Sequence, residues 1–354
     1  MKENIKKLLI KKGVSIRDAM KQMGEGAEKI LFVVDDDRKL LGALTDGDIR
    51  KWILADKSLK DSIDKVYNKK PVFVSDTCLI DAIKEMMIDQ KLESIPVVDG
   101  ARRLVDVHLW EVIFGHGQRM EMPKIDLPVV IMAGGKGARL DPFTRILPKP
   151  LLPIGEKPVV EIIMDNFYAS GCRTFHLVLG YKSEMIRSYF DNISLPYKIG
   201  YVHEKEALGT AGGLKLIHKD MPKTFFVSNC DIIIKADYQD IYGFHKKNKC
   251  DITVVGSMNH FKIPYGVLKI DGNGRLNDID EKPEYDLLVN TGMYILERSV
   301  LKMIPKGASL DFTDLIKLVK NNNGRVGVYP VSEKAWLDVG QWEKYRETVK
   351  CLGM

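Results

Sequence analysis

The stretch LPVVIMAGGKGARLDPFTRILPKPLLPIG, residues 127–155, carries the strongest signal about the fold. It begins with a continuous apolar run, which is typical of a central parallel strand that is buried on both faces. Further runs of this kind follow at residues 175–180, 225–231 and 252–258, with amphipathic segments between them. This alternation predicts an α/β fold with a mainly parallel sheet, whose chemistry gathers at the carboxyl ends of the strands.

The glycine-rich turn after the first strand is the first candidate site. Small residues there allow backbone N–H groups to approach a triphosphate and form a nest for anions; they are Ala133, Gly134, Gly135 and Gly137. Arg139 and Lys149 then offer positive charge to a phosphate chain.

Two common phosphate motifs and a plain turn compete as explanations of these glycines. A dinucleotide-binding fingerprint needs a third glycine where Leu140 stands, and a P-loop needs Ser or Thr where Gly137 follows Lys136. The glycines alone favour a turn without a ligand, so a phosphate site is predicted only because of the residues that follow them.

Those residues, R-L-x-P-x-T and then P-K-P within 139–150, resemble the signature of the sugar nucleotidyltransferase family. The resemblance extends over residues 128–350. It implies a Rossmann-like α/β domain that combines an NTP with a sugar 1-phosphate to give an NDP-sugar and pyrophosphate. It also implies that the glycine loop, Arg139 and Lys149 hold and polarise the triphosphate.

Two carboxylates in the same region are candidate metal ligands. Asp231 ends an apolar strand, and Asp338 lies just before a glycine turn. Mg²⁺ prefers oxygen ligands and substrate phosphates, so two separated carboxylates suit it. The resemblance implies that both bind the catalytic Mg²⁺ and that Asp231 is catalytic. Taken alone, Asp231 would favour a helix N-cap or a turn aspartate.

The resemblance assigns two further groups of residues. The loop EKEALGTAGGL, residues 204–214, resembles the family's nucleobase and ribose loop, so the candidate nucleotide contacts are Leu208, Gly209 and Gly213. The implied sugar-phosphate contacts are Tyr265, Gly266, Glu281, Lys282, Thr291 and Gly292. Lys282 would neutralise the sugar phosphate. The alternatives are a glycine-rich turn and a solvated Glu–Lys pair.

The first third of the chain contains an internal repeat of about 60 residues in the order helix–strand–turn–strand–helix. The segment VVDDDRKLLGALTDGDIRKWI of the first copy resembles the CBS domain family, in which two copies form a Bateman module. We therefore predict a first CBS domain at residues 1–58 and a second at 59–120. A linker at 121–126 and a nucleotidyltransferase domain at 127–354 follow.

The resemblance implies a regulatory nucleotide site in the first copy. There Thr45 and Asp48 form the T-x-x-D that addresses the phosphate and ribose of an adenosyl ligand. In the second copy, His108 and Glu111 are expected at the matching places, which predicts one adenine nucleotide per chain. The alternative is that the pair serves only to join copies of the chain into a homo-oligomer.

Composition limits the other partners. The chain has 54 Lys and Arg against 48 Asp and Glu, a net charge of +6, without a basic block or stripe that would predict nucleic acid. No apolar run approaches the roughly 18–20 residues that span a membrane. The five cysteines are scattered, which is typical of free thiols in the cytoplasm.

The substrates follow only from resemblance. The whole architecture resembles bacterial CBS-fused guanylyltransferases that make GDP-glucosamine for legionaminic acid, which favours GTP and glucosamine 1-phosphate. Mannose- or heptose-1-phosphate guanylyltransferases and cytidylyl or uridylyl relatives are alternatives. A catalytically inactive, nucleotide-sensing subunit is the alternative of another class.

Overall fold

The structure is a computed structural model, and it describes residues 3–26, 29–90, 92–114, 125–217 and 221–351. The chain divides into two compact units, residues 1–122 and 123–354. The predicted linker lies mostly outside the described residues. Within the described ranges, no helix is long and apolar enough to cross a membrane.

The front unit has the predicted order of helices and strands in both halves. Its elements are α1 (Glu3–Lys7), β1 (Leu9–Lys11), α2 (Ile16–Gly26), β2 (Ile30–Val34), β3 (Leu40–Thr45), α3 (Asp46–Leu54), β4 (Val74–Ser75), α4 (Ile80–Asp89), β5 (Ser94–Val98), β6 (Leu104–Leu109) and α5 (Trp110–Phe114).

The two halves of the front unit have the same sheet. The strand orders are β1-β2-β3 and β4-β5-β6, each with one parallel pair followed by one antiparallel pair. The turns of the two sheets bond to each other, because Leu40 donates its N–H to the Arg102 carbonyl at 3.0 Å and Leu104 donates to the Arg38 carbonyl at 2.9 Å. This reciprocal pair relates the halves by an approximate two-fold symmetry.

The register of these sheets fixes which residues of the two halves correspond. Thr45 lies opposite Ile30 in the first half, and Leu109 lies opposite Ser94 in the second. Both partner residues begin the second strand of their sheet, so Leu109 is the structural counterpart of Thr45.

The same register makes Val112 the counterpart of Asp48. The expectation that His108 and Glu111 occupy these places is therefore wrong by one residue. Side chains alternate between the faces of a strand, so a shift of one residue exchanges the two faces. The second half has an apolar pair, Leu109 and Val112, where the first has a hydroxyl and a carboxylate.

The second unit contains more elements than the apolar runs predicted. They are β7 (Val129–Ala133), β8 (Pro153–Ile154), β9 (Lys157–Pro158), α6 (Val159–Ala169), β10 (Thr174–Leu179), α7 (Ser183–Asp191), β11 (Lys198–His203), α8 (Gly209–Gly212), β12 (Thr224–Asn229), β13 (Ile232–Ile234), α9 (Tyr238–Lys247), β14 (Ile252–Lys262), β15 (Val267–Ile270), β16 (Leu276–Asp280), β17 (Glu284–Glu297), α10 (Phe312–Asn321), β18 (Val326–Ser332), β19 (Trp336–Asp338) and α11 (Trp342–Cys351).

The main sheet of this unit has the order β11-β10-β7-β12-β17-β14-β18 in the part of the chain that the structure describes. Its first four strands are parallel to one another, β17 runs antiparallel to both neighbours, and β14 pairs in parallel with β18. The predicted mainly parallel α/β fold is confirmed, with the antiparallel β17 as an addition.

The first predicted strand, β7, lies at the centre of this sheet and is buried on both faces. Val129 and Ile131 pack into the core on one face, and Val130 and Met132 pack into the core on the other. Because β7 and β12 are parallel neighbours, both end at the same edge of the sheet. The glycine-rich turn and Asp231 follow these two strands, so the fold brings them to one edge.

Candidate functional site

The glycine-rich turn folds back on the segment that carries Lys149. Gly137 adopts a left-handed φ of 68°, and a Cβ there would lie 2.9 Å from Thr144 Cγ2 and 3.0 Å from Lys149 Cβ. The Thr144 hydroxyl donates to the Gly137 carbonyl at 3.1 Å. This position therefore requires glycine, and the close approach fixes the lysine beside the turn.

The two predicted metal ligands come together through a short pair of strands. β13 and β19 are antiparallel, with Ile232 opposite Asp338. Val339 also donates its N–H to the Asp231 carbonyl at 2.9 Å. Asp231 and Asp338 thus become neighbours although a large part of the unit separates them in sequence.

Both carboxylates and Lys149 meet over Gly340. A Cβ on Gly340 would lie 2.9 Å from Asp231 Oδ2, 2.9 Å from Asp338 Oδ1 and 3.3 Å from Lys149 Nζ. The Lys149 ammonium group forms an ion pair with Asp231, and both side chains are mostly buried. We call this cluster of Lys149, Asp231, Asp338 and Gly340 the charged cradle.

Burial and charge act against each other in the charged cradle. Burial raises the pKa of Asp338, and the nearby Asp231 raises it further, while the Gly340 N–H, which donates to Asp338 at 2.7 Å, opposes the shift. Burial lowers the pKa of Lys149, but Asp231 and other acidic neighbours outweigh it and the net direction is upward. The two carboxylates therefore favour a cation beside them.

The oxygen atoms of the charged cradle are of the type that binds Mg²⁺. Among the described residues, no group of three or more His, Cys, Asp and Glu side chains is placed to hold a metal. Mg²⁺ is usually held by one or two carboxylates together with waters and substrate phosphates. Two carboxylates around a space that a Cβ would fill match that pattern.

Glu204 is a site residue that the sequence reasoning missed. It opens the second glycine-rich loop, is only 8% exposed, and its Oε1 has no hydrogen-bond partner among the described residues. Its carboxyl group lies against two glycines, since a Cβ on Gly134 or Gly213 would lie 3.2 or 3.1 Å from Glu204 Cδ and closer still to its oxygens. Burial raises the pKa of Glu204.

The structure thus gives Gly134 and Gly213 a shared role, which is to admit a buried carboxyl group between the two glycine-rich loops. An unpaired acidic group is costly to bury. An isolated glutamate before a glycine loop gives no sequence signal of this kind, because its burial depends on both loops.

The other residues of the second loop pack against the chain near Leu310. Gly209 has a φ of 75°, and a Cβ there would lie 2.7 Å from the Leu310 carbonyl oxygen. Thr210 donates its N–H and its hydroxyl to Asp311 Oδ1 at 3.0 and 3.1 Å. Packing therefore explains why position 209 requires glycine. The Leu208 side chain, just before it, remains partly exposed.

The predicted sugar-phosphate residues fall into two groups. In the first group, a Cβ on Gly266 would lie 2.9 Å from Glu281 Oε2, and Lys282 lies 3.8 Å from Glu281. Tyr265, Glu281 and Lys282 are exposed, as a site open to a substrate requires.

The second group lies beside β12. Gly292 has a φ of 89°, and a Cβ there would lie 2.9 Å from Asn229 Cγ. Thr291 is 2% exposed and donates its hydroxyl to the Val255 carbonyl at 2.8 Å. The Thr291 side chain, expected to face the sugar, is instead buried because β17 packs it against β14.

Two predicted residues of the triphosphate site are exposed to solvent. Gly135 and Arg139 are exposed, and Arg139 forms no hydrogen bond or ion pair with the described residues. Such an arginine is free to bind an anionic group.

In the front unit, Thr45 and Asp48 bond to each other. The Thr45 hydroxyl donates to Asp48 Oδ2 at 2.7 Å, and the N–H of each residue donates to the side chain of the other, which caps α3. The structure therefore gives this pair a structural role, and its role in binding a nucleotide stays a prediction.

Comparisons with known proteins agree with this division of the chain. Residues 128–352 match the family model described as nucleotidyl transferase, and residues 5–55 match the CBS domain model. The mannose-1-phosphate guanyltransferase of Yarrowia lipolytica is 32% identical over 222 residues, 60% of each chain. The UTP–glucose-1-phosphate uridylyltransferase of Synechocystis sp. is 31% identical over 246 residues, 63% of each chain.

A solved structure is similar to part of the chain. HddC from Yersinia pseudotuberculosis, complexed with GMP-PN, is 26% identical with a TM-score of 0.51, and the match covers 64% of this chain and 99% of HddC. The matches span 60% and 63% of the length of the two curated relatives above.

The buried Glu204 predicts a pH-dependent loss of stability. Its raised pKa means that the folded protein binds this proton more tightly than the unfolded chain. Stability therefore falls as pH rises from the ordinary value of 4.5 through the folded pKa. We expect Glu204→Gln to raise the free energy of unfolding at pH 7.5 by about 1 kcal/mol, and the gain to shrink toward pH 4.5. Urea unfolding at several pH values measures this.

The matched control is Glu206→Gln, which changes an exposed glutamate in the same loop. It should leave the free energy of unfolding unchanged at every pH. A destabilised Glu204→Gln variant at pH 7.5 would contradict the assignment of an unpaired carboxyl group.

Proposed function

Because this chain belongs to the nucleotidyl transferase family, we propose that it transfers a nucleotidyl group from an NTP to a sugar 1-phosphate, giving an NDP-sugar and pyrophosphate. The observation that carries the proposal is the charged cradle, where Lys149, Asp231 and Asp338 converge on Gly340. It lies at the carboxyl edge of the parallel strands, where α/β proteins place their chemistry.

The proposed reaction needs positioning and charge more than acid–base catalysis. An oxygen of the sugar phosphate attacks the α-phosphorus, and a new P–O bond forms as the bond to the bridging oxygen breaks. Pyrophosphate leaves with that electron pair. The attacking phosphate is already ionised, so a general base is unnecessary. Lys149, Arg139 and the N–H groups of the glycine turn orient the triphosphate and stabilise its charge.

Mg²⁺ bound by Asp231 and Asp338 would add positive charge that screens the phosphates from one another. Both carboxylates are largely buried and already attract the Lys149 ammonium group. This attraction for a positive charge supports Asp231 and Asp338 as the ligands of Mg²⁺. Gly340 leaves the space between them open.

GTP is the proposed nucleotide, and Glu204 is the residue that supports this choice. Guanine carries two donors side by side, N1–H and the N2 amino group, and a carboxylate can accept both. Uracil and cytosine lack such an adjacent pair. Glu204 lies between the two glycine-rich loops that the resemblance assigns to the nucleotide, and a guanine N–H that reached its carboxyl group would offset part of its cost of burial.

Glucosamine 1-phosphate is the proposed acceptor, with GDP-glucosamine for legionaminic acid as the product. The proposal rests on resemblance to CBS-fused guanylyltransferases. Glu281 is the carboxylate among the predicted sugar residues, so it would pair with an ammonium group at C2. Mannose 1-phosphate is the second candidate, which the names of the guanyltransferase relatives favour.

The first test removes each carboxylate of the charged cradle. We expect Asp231→Asn and Asp338→Asn each to lower kcat by at least ~10²-fold, because each removes a fixed charge that the phosphates and Mg²⁺ require. Pyrophosphate release at saturating Mg²⁺ is the measurement. Asp314→Asn, an exposed aspartate on α10, is the control and should keep full turnover. Wild-type turnover in either cradle variant would refute the metal assignment.

The second test separates the nucleotides and the sugars. With GTP, UTP, CTP and dTTP against a panel of sugar 1-phosphates, we expect GTP with glucosamine 1-phosphate to be best. Glu204→Gln should lower kcat/KM for GTP by about 10–100-fold, as expected for a lost hydrogen bond to a charged group. It should change kcat/KM for UTP by less than about threefold, and Glu206→Gln should change neither.

The outcomes of this panel are distinct. An equal loss with all nucleotides would exclude Glu204 as the base-reading group. Efficient use of mannose 1-phosphate with rejection of glucosamine 1-phosphate would favour the second candidate. No turnover with any combination would favour an inactive, nucleotide-sensing subunit.

The front unit is proposed to bind one adenine nucleotide per chain at Thr45 and Asp48. The second half has Leu109 and Val112 at the corresponding places, and neither side chain can bond a phosphate or a ribose. Calorimetric titration of the full chain with ATP, ADP, AMP and S-adenosylmethionine should give one site. Asp48→Ala should weaken it at least tenfold, and Val112→Ala should leave it unchanged.

Binding at this site is expected to change substrate affinity or rate by about 5–150-fold if the two units are coupled. Two sites per chain would contradict the asymmetry of the two halves. No heat with any of the four ligands would leave the front unit as a device for joining copies into a homo-oligomer.

A further inference from the structure

Residues 139–153, which we call the signature segment, carry Arg139 at their start and Lys149 near their end. Between these two positive groups the chain forms only short 3₁₀ turns. Phe143 and Ile146 lie there and are 56% and 77% exposed. Because such a segment has few buried contacts of its own, the neighbouring elements decide where its charged groups lie.

The helix α11 holds the beginning of the signature segment through an aromatic contact. The rings of Trp342 and Phe143 have centroids 4.5 Å apart and an interplanar angle of 58°. Trp342 also donates its Nε1–H to the Asp141 carbonyl at 3.4 Å. Tilted ring pairs at this distance attract each other, so the ring contact is the main attachment and the long hydrogen bond gives it direction.

The same helix holds the end of the signature segment. One turn along α11, Tyr345 donates its hydroxyl to the Pro153 carbonyl at 2.5 Å. The Tyr345 ring packs edge-on against Trp342, with centroids 5.8 Å apart and an angle of 86°. We call these two side chains the aromatic clamp. Lys149 lies in the chain between the two points that the aromatic clamp attaches.

The helix that carries the aromatic clamp is also bonded to the second carboxylate's strand. α11 begins two residues after Gly340 of the charged cradle. Thr348, which is 2% exposed, donates its hydroxyl to the Asp338 carbonyl at 3.4 Å. The helix α11 therefore joins Asp338 to the segment that supplies Lys149, although the two residues come from distant parts of the unit.

The turn between β10 and α7 holds the middle of the signature segment. Tyr181 donates its hydroxyl to the Thr144 carbonyl at 3.2 Å. The Lys182 ammonium group donates to the Ile146 carbonyl at 2.7 Å and also to the Arg145 carbonyl. This turn fixes the middle of the segment, whereas the aromatic clamp fixes its two ends.

We propose that Trp342 and Tyr345 are positioning residues for the triphosphate. They hold the signature segment against α11, so that Lys149 stays beside Asp338 and Arg139 stays at the entrance of the segment. The inference rests on the proposed function, because it assigns the aromatic clamp to the same site. The two rings supply no charge, and a displacement of about 1 Å in the groups that they position can cost ~10²-fold in rate.

Kinetics with the two substrates varied separately tests this role. We expect Trp342→Ala to lower kcat/KM for GTP, or for the nucleotide that the panel above identifies, by about 10–100-fold. The loss should come mainly from a higher KM for the nucleotide, while the KM for the sugar 1-phosphate changes by less than about twofold, because the signature segment holds the triphosphate alone.

Two variants of α11 complete this measurement. Trp342→Phe should restore most of the loss, because it keeps a ring against Phe143. Glu343→Ala is the matched control, since Glu343 is exposed and lies next in the same helix, and it should behave as the wild type. A Trp342→Ala variant with a lower kcat and both KM values unchanged would have lost folded protein only, and this result would overturn the proposal.

Phe143→Ala tests whether Trp342 acts through the signature segment. More than half of the Phe143 side chain is exposed, so its removal should leave the fold intact. We expect the same rise in the KM for the nucleotide as in Trp342→Ala. The double variant should be no worse than either single variant by more than about twofold, since both remove one contact. Losses that multiply in the double variant would overturn the proposal.

Hydrogen–deuterium exchange gives a result that requires no turnover. The N–H groups of residues 145–147 donate to carbonyls within the signature segment at 2.9 to 3.0 Å, so their exchange reports how often the segment opens. We expect Trp342→Ala to accelerate this exchange at least ~10-fold and to leave the amides of α10 unchanged. Unchanged exchange at 145–147 would overturn the proposal. Faster exchange in a chain without turnover would support the aromatic clamp and contradict the proposed reaction, so the two failures are distinguishable.

Discussion

Two carboxylates and an ammonium group meet over a glycine, and the geometry of the candidate site depends on that meeting. Asp231, Asp338 and Lys149 are largely buried, and because the two carboxylates repel each other, both depend on the positive charge of Lys149 beside them. A side chain at Gly340 would separate them. The short pairing of β13 with β19 brings Asp338 beside Asp231, which follows β12 at the carboxyl edge of the main sheet.

A second constraint joins the two glycine-rich loops. Glu204 lies between Gly134 and Gly213, so neither loop can carry a side chain there without displacing the carboxyl group. Its raised pKa indicates an environment that disfavours charge in the absence of a partner. Perturbed carboxyl groups of this kind are common at functional sites, where stability is given up for binding. The glycine turn after β7 thereby helps to fix the position of the Glu204 carboxyl group, which belongs to the loop after β11.

The two halves of the front unit have the same fold but different side chains at the start of the helix that follows the last strand. Its halves have the same strand order and bond to each other through equivalent turns. Yet the helix of the first half begins with the capping box of Thr45 and Asp48, and the second half has Leu109 and Val112 there. The hydroxyl and the carboxylate are thus confined to the first half.

The sequence by itself predicted the α/β fold, the order of elements along the front unit, the glycine turn and Lys149, because apolar periodicity and turn chemistry are local properties. The order of strands within the sheets and the antiparallel β17 were not predicted. It also pointed to Asp231 and Asp338 through resemblance. Only the tertiary structure decided that these carboxylates share one glycine, that Glu204 is buried without a partner, and which residues in the second half of the front unit match those in the first. Each of these facts depends on pairing or packing between segments far apart in the chain, and such pairing leaves no periodic signal in either segment alone.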